Sequence, residues 1–336
     1  MNKDVLNIYD IAEIANVSIA TVSRVVNGSD KVSEATRQKV LKVIEQVGYT
    51  PNVFAQGLGS NTMHTVGILV PTIADQYMST AVACLEEELM NYGYDCILSC
   101  SGFELEGKRA NCEMLLSKHI DSLILVGSTY AGNGQDATAT EYIREAAKKV
   151  PVFIINGNVN GENVFASVCE DEAVVNEVTG DLIKRGRKNI LFLTDSRSYS
   201  SNKKLKGYER AMESAGLEAD VVYVENDMHA VMKLLTERRT VPDGIIAAND
   251  NIAVGAVKYA VAKGIAIPDD IEIVGYNNSI LALSSTPEIS SIDNHTEEIC
   301  HDTVERIMQA LNGDGARLKN KIAIPCTLVR RETTKE

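Results

Sequence analysis

The sequence of 336 residues has no apolar run approaching the ~18 residues that a membrane-spanning helix needs. Its first residues, MNKDVLNIYDIAEIANVS, interleave acids with apolar residues and contain no apolar signal core, so export is not expected. A sugar-transport receptor, which needs a signal peptide, is therefore disfavoured. We expect a protein of the cytoplasm without a membrane partner.

Metal ligands and disulfides are also poorly represented. The seven cysteines are odd in number and scattered without CxxC spacing, which argues against a disulfide framework and a structural zinc site. Among the five histidines only His295 and His301 are close in sequence, and their i, i+6 spacing does not place both on one helix face. We expect no metal and no cofactor.

Common catalytic motifs are missing from the chain. It has no GxSxG, no HExxH, no P-loop and no Rossmann glycine fingerprint. An enzyme would need a nucleophile with its base, or a metal site, so we predict a binding protein that is not an enzyme.

The charge is distributed unevenly. The formal net charge is −13, yet residues 1–61 hold six basic and six acidic residues, so the remainder carries the whole excess. An acidic protein is a poor partner for phosphates, but a neutral N-terminal segment removes most of that objection.

The pattern beyond residue 61 is a long β/α alternation. Continuous apolar runs separated by amphipathic stretches that often end at glycine are typical of parallel sheets covered on both faces. We predict two doubly wound subdomains, with a single TIM barrel as the competing topology. The runs are TVGILVP, DCILSC, DSLILVG, PVFIING, NILFLT, DVVYV, GIIAAN and IEIVGY.

Residues 8–27, IYDIAEIANVSIATVSRVVN, predict two short helices joined by a tight turn at Asn16, with Ser18 as N-cap of the second. This is the helix-turn-helix pattern, whose second helix enters the major groove. Arg24 could contact guanine and Ile19 and Ala20 could contact thymine methyls. Hydroxyls of Ser18, Thr21 and Ser23 could meet phosphates. The alternative is an ordinary helical hairpin with solvated polar residues.

A third helix should follow Ser33, with an apolar side formed by Val40, Leu41, Ile44 and Val47. Residues 50–61 predict a short helix that is stable only against DNA or a second copy of itself. Leu58 is either a wedge for the minor groove or one buried leucine in a linker.

The segment IYDIAEIANVSIATVSRVVNG, with VSEATRQKVLKVIEQVGYTPN, KKLKGYERAMESAG and PDGIIAANDNIAVGAVKYAVAKGIAIPDDIEIVGYNN, resembles the LacI/GalR family of bacterial repressors over essentially the whole chain. The resemblance implies an α/β fold with an N-terminal three-helix helix-turn-helix module and a two-subdomain core similar to periplasmic binding proteins. It also implies a homodimer that binds double-stranded operator DNA and releases or grips it when a small-molecule effector binds between the subdomains.

Domain limits and DNA-contacting residues are implied by position. The module spans 1–49, the hinge helix 50–61 and the core 62–336, with an N-subdomain of about 62–162 and 293–323 and a C-subdomain of about 163–292 and 324–336. The base readers are Ile19, Ala20 and Arg24, and Leu58 matches a minor-groove leucine. The remaining DNA-binding or module-stabilising positions are Tyr9, Ser18, Thr21, Ser23, Asn27, Thr36, Tyr49 and Asn52. The Ile19-Ala20 pair resembles catabolite-control members of the family, which implies pseudo-palindromic operators with a central CG step.

The implied effector site departs from the family pattern. Lys204 replaces a frequent Arg, Asn156 and Asn277 replace Asp, and Met78 and Met228 replace aromatic residues, whereas Tyr77 is retained. With Asn249, these residues suggest an amide-lined, net positive pocket for a polar or anionic metabolite such as a sugar or sugar phosphate. A vestigial cleft is the alternative.

A phosphorylated carrier protein acts as co-repressor of catabolite-control members and is a second candidate partner. The corresponding helix here, TEEICHDTVERIMQALNG, presents Glu297, Glu298 and Glu305, with Gln309 where a base would help. Acids repel a phosphoserine, so we rank this partner below a small molecule.

Overall fold

The computed structural model describes residues 7–26, 29–49, 62–132 and 138–335. The chain divides into two compact units, one ending at Thr65 and the other beginning at Val66. The hinge helix expected at residues 50–61, with Asn52 and Leu58, lies outside the described residues, as does Asn27.

The first unit contains the helices α1 (Ile8–Ile14), α2 (Ile19–Val26) and α3 (Glu34–Val47). Apolar residues of all three helices form its core, as the spacing predicts. The buried members are Ile11, Ala12, Ala15, Val22, Val25, Val40 and Val43. The expectation for Leu41 is wrong: its side chain is 42% exposed, because the inward face of α3 is centred on Val40 and Val43.

The second unit alternates strands and helices. Its strands are β1 (Thr65–Val70), β2 (Asp95–Cys100), β3 (Ser122–Val126), β4 (Val152–Ile155), β5 (Val164–Cys169), β6 (Ile190–Thr194), β7 (Asp220–Tyr223), β8 (Gly244–Ala247), β9 (Glu272–Tyr276), β10 (Ser290–Asp293), β11 (Lys321–Ile324) and β12 (Thr327–Val329). Its helices are α4 (Gln76–Asn91), α5 (Leu105–Leu116), α6 (Glu141–Ala147), α7 (Asp171–Lys184), α8 (Tyr199–Ser214), α9 (Met228–Glu237), α10 (Asp250–Lys263), α11 (Ile280–Ser284) and α12 (Thr296–Gln309).

The strands form two six-stranded sheets, in the orders β11-β5-β4-β3-β1-β2 and β12-β10-β9-β8-β6-β7. Each sheet has a hydrophobic core on both faces. In the first sheet α4 and α12 cover one face and α5 and α6 the other; in the second, α9 and α10 lie opposite α7 and α8. The prediction of two doubly wound subdomains is confirmed, and the TIM barrel is wrong.

The boundary expected near residue 162 is displaced by one strand. Strand β5 pairs parallel with β4 and with β11, so it belongs to the first sheet rather than to the second subdomain. No helix separates β4 from β5. Instead, Asn156 and Asn163 adopt left-handed backbone angles, with φ of 59° and 57°, and let a short loop return the chain.

One strand runs against the parallel pattern. Strand β12 pairs antiparallel with β10 at the edge of the second sheet. Only Pro325 and Cys326 separate it from β11 of the first sheet. The chain therefore enters the second sheet at the carboxyl ends of the other strands of that sheet. For this reason β12 runs in the opposite direction to them.

Candidate DNA-reading helix and ligand cleft

The turn before α2 is built from local hydrogen bonds. Asn16 has a left-handed backbone, with φ of 48°, and Val17 donates its N–H to the carbonyl of Ala12 at 3.0 Å. Ser18 Oγ then accepts from the Thr21 N–H at 3.2 Å and lies 2.8 Å from Thr21 Oγ1. The cap fixes where α2 begins, and hence which residues face outward.

The outward face of α2 carries the three expected base readers. Ile19 is 41% exposed, and Ala20 and Arg24 are also exposed, whereas Val22 and Val25 are buried against α1 and α3. The face is therefore available to a partner without loss of core packing.

The other expected DNA contacts are divided between surface and core. Tyr9 is 65% exposed and Ser18 is exposed, while Thr21, Ser23 and Thr36 are half-buried. Tyr49 packs against the core of the unit, which fits a stabilising role better than a direct contact.

The second unit has a cleft between its sheets, where the chain crosses three times from one sheet to the other. The crossings follow β5 at Glu170, follow β10 at Asn294 and His295, and follow β11 at Pro325 and Cys326. Ligands of open α/β sheets bind outside the carboxyl ends of strands, which is the edge that these crossings join.

A cavity of about 740 Å³ occupies the cleft. All seven residues named from the sequence line it: Tyr77, Met78, Asn156, Lys204, Met228, Asn249 and Asn277. Their grouping follows from topology, because each lies just beyond the carboxyl end of a strand or in the helix that follows it. Their contact with a ligand stays a prediction.

The cation of the cavity is held within the protein. Lys204 is buried, its Nζ donates to the Ala248 carbonyl at 2.9 Å, and the same nitrogen lies 3.4 Å from the centroid of the Tyr276 ring. The Tyr276 hydroxyl donates to Asp171. Burial raises the pKa of Asp171, an effect that Lys204 and the Tyr276 hydroxyl oppose.

The cavity is not net positive, which corrects the sequence-based expectation. Asp75, Asp195 and Asp250 line it together with Lys204. Asp250 is buried and accepts from the hydroxyls of Ser279 and Ser291, and burial raises its pKa. These three carboxylates are not among the positions named from the sequence.

A group of serines also escaped the sequence analysis. Ser196, Ser198 and Ser201 line the cavity and hydrogen-bond to one another at 2.8 to 3.2 Å. Ser128 donates to Ser198 at 2.8 Å, which links the first subdomain with the second. The run DSRSYSSN directly after a buried strand was the available signal, since loops at carboxyl ends of strands carry ligand contacts.

The first-subdomain wall contains an unsatisfied acceptor. Asn156 Nδ2 donates to the Tyr77 hydroxyl at 2.5 Å, while Asn156 Oδ1 is buried and finds no hydrogen-bond partner among the described residues. An unpaired buried carbonyl costs about 1 to 3 kcal/mol of folding free energy. A ligand group that donates a hydrogen bond to Asn156 Oδ1 would therefore bind favourably here.

Within the described ranges, no cluster of three or more His, Cys, Asp or Glu side chains could hold a metal ion. No helix in those ranges is long and apolar enough to cross a membrane.

Comparisons with known proteins agree with this architecture. Residues 7–52 match the model of bacterial regulatory proteins, lacI family, and residues 179–334 match a periplasmic binding protein-like domain. An HTH-type transcriptional regulator of Lachnoclostridium phytofermentans is 41% identical over 98% of this chain and 99% of its own length. Catabolite control protein A of Priestia megaterium is 35% identical over 85% of this chain and 87% of its own length.

Among solved structures, the lac repressor dimer bound to operator and the anti-inducer ONPF superimposes with a TM-score of 0.87. The match covers 98% of this chain and 99% of that one at 24% identity, which supports the fold. With a relative more than 40% identical over nearly the full length, the chain belongs to the lacI family of bacterial regulatory proteins and is a transcriptional regulator with a DNA-binding helix-turn-helix and an effector-binding core.

Proposed function

We propose that the protein is a homodimeric cytoplasmic repressor whose affinity for an operator is set by a small polyhydroxylated metabolite in the cleft, and that it is not an enzyme. The observation that carries the proposal is that the same chain has an exposed polar and apolar face on α2 and, in its second unit, a polar cavity at the three crossings. A ligand that favours one arrangement of the two subdomains shifts the population of DNA-competent dimers.

Operator recognition is proposed to rest on Ile19, Ala20 and Arg24. One helix-turn-helix reads a half-site, so a dimer requires a pseudo-palindrome, for which we expect a central CG step. Selection from random duplexes with purified protein, at stated salt and without ligand, tests this. Enrichment of such a palindrome supports the proposal; enrichment of no sequence, with or without a metabolite extract, refutes it.

Dimerisation is supported by exposed apolar side chains at one edge of the first sheet. Leu98 on the edge strand β2 is exposed, and Leu105 and Met114 on the adjoining α5 are exposed as well. Open strand edges with apolar neighbours commonly mark interfaces. Leu98→Asp should raise the dissociation constant of the dimer in sedimentation equilibrium, whereas Val241→Asp, at an exposed loop residue, should leave it unchanged.

The ligand is proposed to be a neutral polyol or sugar. Serine hydroxyls, amides and carboxylates pair with ligand hydroxyls, while Asp75 and Asp195 repel anions. A ligand at one hundred times its dissociation constant stabilises the folded protein by about 2.7 kcal/mol, so thermal unfolding in a panel of neutral sugars, sugar phosphates and sugar acids is a direct test. Stabilisation by anionic compounds alone would overturn the neutral-ligand proposal.

Absence of catalysis is proposed from the chemistry of the cavity. The hydroxyls of Ser196, Ser198 and Ser201 hydrogen-bond to one another and that of Ser279 donates to Asp250. The lining residues of the described chain include no histidine to act as a base for a serine. Incubation of the stabilising sugar with the protein, followed by chromatography, should return it unchanged.

A phosphorylated carrier protein remains the second candidate co-repressor because of the similarity to catabolite control protein A. The relevant helix is α12, on which Glu297, Glu298, Glu305 and Gln309 are exposed. His301 Nδ1 lies 3.2 Å from Glu88 Oε2 and its Nε2 3.6 Å from Glu305 Oε1, which places Glu88 on the same surface. We rank this partner below the cleft ligand.

A further inference from the structure

Two cysteines meet at the crossings between the subdomains. Cys169 ends β5 at the first crossing, and Cys326 lies in the third, between β11 and β12. Cys169 pairs in register with Ile324, two residues before Cys326, and Cys326 packs against the cluster that contains Cys169. Two thiols separated by 157 positions in the sequence therefore share one small volume.

Their other contacts tie the pair to the remaining crossing and to the cavity. Cys169 Sγ donates to the carbonyl of Asn294, in the second crossing, at 3.6 Å. Cys326 Sγ lies 3.6 Å from the hydroxyl of Tyr276, the ring of which lies under Lys204 of the cavity. All three crossings and the cavity wall at Lys204 therefore meet at these sulfur atoms.

We propose that Cys169 and Cys326 form a reversible disulfide that ties the first crossing to the third and limits movement of one subdomain against the other. The two thiols differ in burial, as a reaction with separate attacking and resolving thiols requires. Cys326 is half-buried, whereas Cys169 is buried. Cys326 is the nucleophile and Cys169 the resolving thiol.

The chemistry balances with a peroxide as oxidant. The Cys326 thiolate attacks one peroxide oxygen, the O–O bond breaks, and the leaving hydroxide takes a proton to give water and a sulfenic acid. Cys169 Sγ then attacks that sulfur, the S–O bond breaks, and a second water leaves as the S–S bond forms. A dithiol reductant reverses the reaction.

The surroundings of the two thiols support these roles. Interaction between the two thiols lowers the pKa of Cys326 and raises that of Cys169. Burial and the charge of Asp171 oppose ionisation of Cys326, and Lys204 favours it. The thiolate is therefore formed at Cys326 rather than at the buried Cys169.

The first experiment maps the bond in full-length protein. Reduced protein is treated with hydrogen peroxide, free thiols are blocked with N-ethylmaleimide, and peptides are identified by mass spectrometry without reduction. We expect a linked peptide containing Cys169 and Cys326. It should disappear in Cys326→Ser and persist in Cys100→Ser, at an exposed cysteine elsewhere.

Other products would overturn the proposal. They include a Cys84–Cys300 link, oxidation confined to Cys100, or Cys326 sulfinic acid without a link. Because this assay uses wild-type protein as its main sample, it remains informative if the Cys326→Ser variant fails to fold.

The second experiment tests the restraint on motion. Hydrogen exchange of the oxidised and reduced wild type should differ at residues 294–296 and 324–327, with exchange at least about tenfold slower in the oxidised form. Unchanged exchange in a protein proven to contain the link would refute the restraint. Neither assay uses DNA or ligand, so failure here is distinguishable from failure of operator binding. An effect on operator release, by contrast, rests on the proposed function.

Discussion

The two units of the chain carry their functional residues in opposite ways. In the first unit, Ile19, Ala20 and Arg24 lie on one helix of eight residues. In the second, the cavity lining extends from Thr72 to Asn294 and is assembled from the ends of strands in two sheets. A local surface depends on one cap and one buried face, whereas an assembled cavity depends on every crossover that positions it.

The largest expected effect concerns the second unit. Glu272 is fully buried and binds Arg185 and Arg187 through its carboxylate, with Nε–O distances of 3.0 Å, and it also accepts from the Lys335 N–H. Glu272→Gln should lower the free energy of unfolding by about 3 to 5 kcal/mol, because it leaves two guanidinium groups without their partner charge. The matched control is Glu145→Gln at an exposed pair with Lys148, where the loss should stay below about 1 kcal/mol. Similar losses in urea unfolding for both variants would contradict this.

The same residue predicts a pH dependence. Burial alone would raise the pKa of Glu272, but hydrogen bonds from Arg185 and Arg187 outweigh it and hold that pKa below the ordinary value. The folded state therefore binds fewer protons at this site than the unfolded chain. Its contribution is complete above the unfolded pKa of about 4.3 and is lost as the pH falls through the lower folded value. Urea midpoints measured from pH 6 to 3 should fall less steeply in Glu272→Gln than in wild type.

Two helix glycines beside the cleft differ in the space that surrounds them. A Cβ on Gly207 of α8 would lie 2.4 Å from the Glu172 carbonyl oxygen, while one on Gly180 of α7 meets nothing within 4 Å. Gly207→Ala should destabilise the core by about 1 to 3 kcal/mol by forcing α7 and α8 apart. Gly180→Ala should stabilise it by about 0.5 to 1 kcal/mol. A loss of stability in both variants would show that backbone approach is not the cause.

Substitutions on the outward face of the first unit should change the affinity for operator DNA rather than the free energy of unfolding. Arg24→Ala should weaken binding to the selected operator by about 1 to 3 kcal/mol and relax specificity at one base pair per half-site. Lys42→Ala, at an exposed residue of α3, should change the binding affinity for all duplex sequences by a similar factor. Fluorescence anisotropy with operator and base-substituted duplexes distinguishes the two. A uniform loss in Arg24→Ala would assign this residue to phosphate contact.

The smallest effect is confined to one helix end. Ser33 is the N-cap of α3, and its Oγ accepts from the Thr36 N–H at 3.4 Å. Ser33→Ala should destabilise this helix by about 1 kcal/mol and speed hydrogen exchange of its first turn. Exchange in α10, capped by Asn249 in the second unit, serves as the internal reference and should not change.

Sequence patterns were most informative where neighbours in the chain are neighbours in space. The turn at Asn16, the cap at Ser18 and the buried valines of α2 follow from spacing within a few residues. The seven cavity residues were also found, but through resemblance to the LacI/GalR family. Spacing gave no indication that Asp75, Asp195 and Asp250 would lie beside Lys204.

The sequence by itself determined the helix-turn-helix, the β/α alternation and the membership of the family, because hydrophobic period, caps and motifs are local properties. Only the tertiary structure decided that β5 belongs to the first sheet, that β12 runs antiparallel, and that Cys169 meets Cys326. Those outcomes depend on strand order and on the edge at which the chain crosses between sheets. Both are set by pairing of segments far apart in the sequence, for which no local pattern carries a signal.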